Sequence, residues 1–138
     1  MRESSDVFQQ DLAHLVSICR WVTRFYGEAA VVSRRQHQSK TLQLIEQERA
    51  GLADELQLLS GAATWSEATL LPLVRDARGD DARILELCDH IDGETIIAYG
   101  AFLPASSAQL QALLERHIEQ LRRGAERRAF LWEDLDEV

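Results

Sequence analysis

The sequence predicts an all-α fold, a four-helix bundle, and two observations carry that expectation. Apolar residues recur at alternating spacings of three and four along four long segments, the period of a buried helix stripe. The whole chain has only two prolines and seven glycines, which leaves room for long helices, and no stretch alternates with the period of a strand. A chain of 138 residues fits one domain with a sizeable core, spanning 1–138, with 1–5 and 133–138 expected to fray.

The first helix is expected over 6–33, capped by Ser5 or Asp6. Its inner stripe is Phe8, Leu12, Leu15, Cys19, Val22, Tyr26 and Ala29. Beside it runs a second stripe, Ile18, Trp21 and Phe25. A helix apolar on two sides needs two neighbours. The second neighbour is the later connecting segment or another subunit, which makes these three residues a candidate interface. The polar stretch 34–38 makes a turn, and Ser39 is placed to cap a second helix running to 60. Its stripe is Leu42, Ile45, Arg49, Leu52, Leu56 and Leu59, and Gly61 stops it. Gly51 weakens this helix slightly; it either admits a close helix approach or has no special role.

Over 61–80 the pattern changes. Trp65, Leu70, Leu71, Leu73 and Val74 make this stretch too apolar for a flexible linker and too long for a tight turn. It is read as a crossover that packs along the bundle and contains a short helix, 67–77, interrupted or bent at Pro72. Asp80 or Asp81 starts the third long helix, which ends near Leu103 before Pro104. Its stripe is Leu85, Cys88, Ile91, Asp92, Thr95, Tyr99 and Phe102. Ser106 or Ser107 caps the fourth, which runs to Trp132 with Leu110, Leu114, His117, Leu121, Ala125 and then Arg128 inward. Two helical hairpins joined by one long connection give the connectivity of ferritin-like bundles.

Three local patterns extend that reading. The first helix carries Cys19-Arg20 and then Tyr26-Gly27-Glu28-Ala29-Ala30. The second carries Ala53-Asp54-Glu55-Leu56-Gln57. The third carries Glu86-Leu87-Cys88-Asp89, then Ala98-Tyr99 and Phe102-Leu103-Pro104. Over 11–131, their order and spacing resemble a bacterial family of small ferritin-like domain proteins of unknown function. The resemblance implies an acidic residue four positions after each cysteine and a histidine late in the fourth helix. Those positions hold Thr23, Asp92 and Ala125 here, so the first carboxylate and the histidine are missing and the second carboxylate is shortened. Dimetal bundles also use a Glu-x-x-His from each of two helices, and this chain has none.

What stands at the midpoint instead is a polar set, Thr23, Arg49, Asp92 and His117. A lone buried Asp92 would be costly, whereas Arg49 offers it two parallel hydrogen bonds, and His117 or Thr23 one each. Three readings stay open: a buried ionic network that sets helix register, side chains that face outward, or a ligand or metal site. A cationic Arg49 repels a divalent ion, which weighs against the last. Asp11 and His14, like Glu86 and His90, share a helix face but make only two-ligand pairs, read as surface contacts. His37 sits in a polar turn. Cys19 lies on an apolar stripe without an activating environment and is read, with Cys88, as a small buried residue in a reducing compartment. Gly79-Asp80-Asp81 is a helix cap rather than a phosphate loop. The fourth helix interleaves Arg116, Arg122, Arg123, Arg127 and Arg128 with Glu115, Glu119 and Glu126, a solvated face or a docking surface.

A net charge of −8 disfavours nucleic acid and anionic membrane as partners. No apolar run approaches a membrane span and the N-terminus has no apolar leader, so the expected location is cytoplasmic. The expected function is non-enzymatic: a ferritin-like bundle with a degenerate metal site and no cofactor, acting through a protein partner or as a homodimer. The alternative is an iron or manganese oxidase, or a peroxide- or stress-handling protein, with Glu46, Asp92 and His117 as ligands. A third reading is a small-molecule binder that uses the cavity left by the metals.

Overall fold

The computed structural model describes the backbone of residues 2–60, 71–105 and 107–136, with side chains from within 12–59, 74–104 and 107–135. Among these residues the chain is all-helical. The helices are α1 (Arg2–Val32), α2 (Gln36–Ser60), α3 (Leu71–Asp76), α4 (Asp81–Phe102) and α5 (Ala108–Asp136), with a 3-10 turn at Leu103–Ala105.

Side-chain pairing gives the helix directions. Arg20 meets Asp54, and the backbone at Gly27 meets Glu46, so α1 and α2 are antiparallel. Tyr26 meets Asp92 and Cys19 meets Tyr99, so α4 also runs against α1. Asp89 meets Arg128 and Tyr99 meets His117, so α5 runs against α4. Helices α1 and α5 therefore point one way and α2 and α4 the other. Ser60 and Asp81 consequently lie at opposite ends of the bundle. Near the α4 end, α3 lies against α1, and its Val74, with Ala77 just beyond it, joins the same apolar cluster as Phe25. Trp65, Ser66, Glu67 and Leu70 of the expected crossover, and the side chains of Leu71, Pro72 and Leu73, lie outside the described residues.

Helix ends follow from local chemistry. Asp80 caps α4 by accepting from the Arg83 N–H at 3.1 Å, which satisfies one of the orphan donors of a helix start. Asp81 does a different job. Its buried carboxylate accepts from the N–H groups of Arg34 and Arg35 at 2.7 and 2.9 Å, tying α4 to the turn before α2. With those donors held from outside, α2 starts at Gln36 rather than at the expected Ser39. Gly79 has φ of +81°, the left-handed region where a side chain is strained, and its N–H reaches the Val32 carbonyl at 3.0 Å. The hydroxyl of Ser107 accepts from the Leu110 N–H at 3.3 Å and opens α5.

Both termini are more helical than expected. No proline or glycine occurs before Gly27, and α1 extends back to Arg2, so neither Ser5 nor Asp6 is its cap. The last turns of α5 continue to Asp136 because they are docked. Leu135 packs on the core, Trp132 Nε1 donates to Asp89 at 3.1 Å, and Arg35 donates to the Asp134 carbonyl at 2.8 Å.

The apolar core falls into two clusters. One gathers Val22, Phe25, Ala29, Leu42, Ile45, Leu85 and their neighbours near the α1–α2 turn. The other gathers Leu12, Leu15, Leu52, Leu56, Leu114 and Leu121 toward the far end. Two stripe positions miss the core: Leu59 is half exposed and Ala125 is exposed. On α5 the inward phase passes through Gly124, which is buried, and on to Arg128 and Leu131.

Candidate functional site

Between the two apolar clusters lies a layer of polar side chains, one from each long helix. Arg49 of α2, Asp92 of α4 and Arg128 of α5 are each about 2% exposed, and Tyr26 of α1 is fully buried. The Asp92 carboxylate is the hub. Its Oδ2 accepts from Arg49 Nη2 at 2.9 Å, from the Tyr26 hydroxyl at 2.7 Å, and from Arg128 Nη1. Arg128 Nη1 also donates to Tyr26 at 2.8 Å, and its Nε donates to Oδ1 of the half-exposed Asp89 at 2.8 Å. The Arg49 guanidinium sits 5.6 Å from the centre of the Tyr26 ring, a cation–π contact. Burial, with Asp92 adding to it, holds the Tyr26 hydroxyl well above its usual pKa, so it stays neutral and donates.

Two guanidiniums against Asp92 and Asp89 balance in charge. That balance is what permits arginines this deep, because an unpaired buried ion carries a penalty of several kcal/mol. Arg49 Nε and Nη1 and Asp92 Oδ1 keep no protein hydrogen-bond partner. A cavity of about 10 Å³ lies against Arg49, walled by Cys19, Thr95, Tyr99 and apolar side chains. Such a space holds about one water and no organic ligand.

A second polar group lies about two turns along the bundle, again with one residue from each long helix. Cys19 Sγ stands 3.3 Å from the Tyr99 hydroxyl, which stands 2.8 Å from His117 Nδ1. His117 Nε2 faces Glu55 Oε2 at 3.5 Å without closing a full hydrogen bond, and Arg116 holds that carboxylate at the surface. Chemistry orients the chain. A carboxylate only accepts, so the Nε2 facing it carries the proton and Nδ1 is the acceptor. Tyr99 then donates to Nδ1, and its oxygen accepts a hydrogen bond from the Cys19 thiol. Burial lowers the His117 pKa despite the opposing Glu55, so the imidazole is neutral. Burial also pushes the Cys19 thiol up to about 11 and that of Cys88 to about 12. Both cysteines are free thiols without nucleophilic character at neutral pH.

The four expected midpoint residues are thus divided. Arg49 and Asp92 pair, but through one hydrogen bond, from Nη2 to Oδ2, rather than the two parallel ones expected. His117 belongs to the second group, and half-buried Thr23 turns back to its own helix, donating to the Cys19 carbonyl at 2.8 Å. Glu46 lies over Gly27 on the α1–α2 seam, where a Cβ on that glycine would overlap its carboxylate. Glu46, Asp92 and His117 are not brought together. Among the described residues no group of three or more His, Cys, Asp or Glu side chains is placed to hold a metal ion. Phe25 is buried against α1's neighbours, while Trp21, stacked on it at 5.6 Å, and Ile18 pack partly against the same cluster.

Sequence reasoning missed Tyr26, Tyr99 and Arg128 as polar partners. Each stands on an inner stripe, but the tyrosines read there as apolar residues and Arg128 reads equally as one of five arginines on a solvated or docking face. Gly124 was the available signal. A Cβ there would stand 2.6 Å from Arg49 Nη2 and 3.7 Å from Arg128 Nη1, so a glycine on the α5 stripe makes room for both guanidiniums. Comparison with known proteins adds no identification: no family model, no curated protein and no solved structure matches the chain.

Two glycines give a contrast testable by urea denaturation. Gly124→Ala should lose about 2 kcal/mol or more, because Arg49 must move and its buried hydrogen bond breaks. Gly27→Ala should stay within about 1 kcal/mol of the parent, because half-buried Glu46 swings into solvent and alanine favours the helix.

His117 predicts a pH dependence. Its folded pKa lies below the ordinary 6.5, so the unfolded chain takes up the proton first as pH falls. The stability from its neutral burial is complete above that value and is lost as pH drops through it toward the folded pKa. Urea midpoints measured at about pH 7.5 and about pH 5.5 should converge in His117→Gln relative to the parent chain. Equal pH slopes in the two proteins would contradict this.

Proposed function

We propose that this chain is a non-enzymatic bundle of ferritin-like connectivity that acts by associating with another protein chain. The observation that carries the reading is the Asp92 layer. Helices running up, down, down and up, with their one long connection between the second and third, fit the ferritin-like pattern. In metal-bearing members of that architecture, carboxylates and histidines converge at mid-height. Here mid-height is taken by a carboxylate already clasped by two guanidiniums. A divalent ion at that point would face two fixed positive charges in a poorly screened interior.

The surroundings support the same reading. The space beside Arg49 is far smaller than the roughly 300–1,000 Å³ of a small-molecule pocket. Cys19, the buried thiol nearest to that space, is protonated. Large apolar side chains stand exposed instead, with Leu58 at 85%, Ile97 and Phe130 at 65%, and Leu44 at 54%. A net charge of −8 turns the surface toward protein rather than nucleic acid. Among the described residues no helix is long and apolar enough to cross a membrane.

Elemental analysis of the chain, purified from iron- and manganese-replete cells without chelators, tests the reading. The expected result is substoichiometric iron and manganese. One or two ions per chain, lost in Asp92→Ala, would replace this reading with that of a metal-dependent oxidase or peroxide-handling protein.

A further inference from the structure

The exposed side of α2 carries an apolar pattern that is symmetric about one residue. Leu44 and Leu58 lie seven residues either side of Gly51, and all three are exposed. Seven residues are close to two helical turns, so the three form one outward stripe. Leu58, at 85%, is the most exposed large apolar side chain among the described residues. Gly51 is open: a Cβ built there meets nothing within 4 Å. Among the described residues no contact therefore requires a glycine at this exposed helical position, where it weakens the helix.

Resting on the association reading above, we infer that the partner is a second copy of this chain. The two copies pair α2 against α2, antiparallel, about a two-fold axis at Gly51. In this register Leu44 meets the partner's Leu58, Leu58 meets the partner's Leu44, and the two glycines face each other at the crossing. Such an isologous contact needs one self-complementary patch, and the symmetric stripe is one. A glycine at the crossing lets the backbones approach closely.

Charge agrees with this occupant. A chain of net charge −8 ordinarily repels its own copy. On this face the acids are already neutralised: Arg20 pairs with Asp54, Arg116 with Glu55, and Arg127 with Glu48. In this register the partner's Gln47 comes level with Glu55, where its amide can donate to a carboxylate that accepts. The partner's Glu48 comes level with Asp54, and each of these acids is already paired with an arginine of its own chain.

Sedimentation equilibrium and site-directed cross-linking test the pairing. At about 100 µM the parent chain should sediment at twice its 15.6 kDa mass. Gly51→Lys should sediment as a monomer with unchanged helical circular dichroism, because its side chain enters open space in the single chain. Gly51→Cys, treated with oxidised glutathione, should form a disulfide-linked dimer about tenfold faster than the control Ile97→Cys, at an exposed position on another helix. A parent chain that stays monomeric at this concentration overturns the inference, as do equal cross-linking rates at the two sites. Neither failure touches the wider association reading, which stands or falls on the metal analysis.

Discussion

The Asp92 carboxylate, clasped by Arg49 and Arg128 and touched by the Tyr26 hydroxyl, is the constraint on which the rest of the bundle depends. Each of the four long helices contributes one member, so the layer exists only when all four stand at one relative height. Apolar stripes alone define a face but tolerate sliding, since one leucine packs much like the next. A buried charge set does not tolerate it, because a slip of one turn strands ions in the interior. Hydrophobic burial on either side supplies the bulk of the driving force. The ionic layer supplies the register in which that burial occurs.

The Cys19–Tyr99–His117–Glu55 group repeats the scheme about two turns away with different chemistry. It also draws one residue from each long helix, but its interior members are neutral. Its only formal charges are at the rim, on Glu55 and Arg116. Polarity runs one way, from the thiol through the phenol to the imidazole, because the carboxylate at the end can only accept. The two layers bracket the cavity beside Arg49, which borders Cys19, Thr95 and Tyr99. A helical bundle with such layers is cross-braced from within by its polar side chains.

Much of this was legible in the sequence. The spacing of three and four identified the buried faces of all four long helices, and the candidate caps Asp80 or Asp81 and Ser106 or Ser107 included the residues that take the role, Asp80 and Ser107. Arg49 and Asp92 stood out as opposite charges on inner stripes. Less legible was the level at which each helix sits against its neighbours. That height decides whether His117 or Arg128 reaches Asp92, and periodicity along one helix does not encode it. Thr23 illustrates a second limit, since a threonine hydroxyl in a helix satisfies itself on the preceding turn. Asp81 illustrates a third: a residue that reads as a cap for its own helix serves the backbone before another. The docked end of α5 depends on the same kind of distant partner, Asp89 for Trp132 and Arg35 for the Asp134 carbonyl.

The central claim is that the charged layer holds the bundle together as a unit. The direct measurement compares urea unfolding of the parent chain, Asp92→Ala, and the triple variant Arg49→Met, Asp92→Leu, Arg128→Met. Asp92→Ala should lose about 3–5 kcal/mol, because it leaves two guanidiniums buried against the half-exposed Asp89 alone. The triple variant, with no buried charge left in the layer, should recover most of that loss. A single variant within about 1 kcal/mol of the parent, or a triple variant less stable than the single one, would contradict the account.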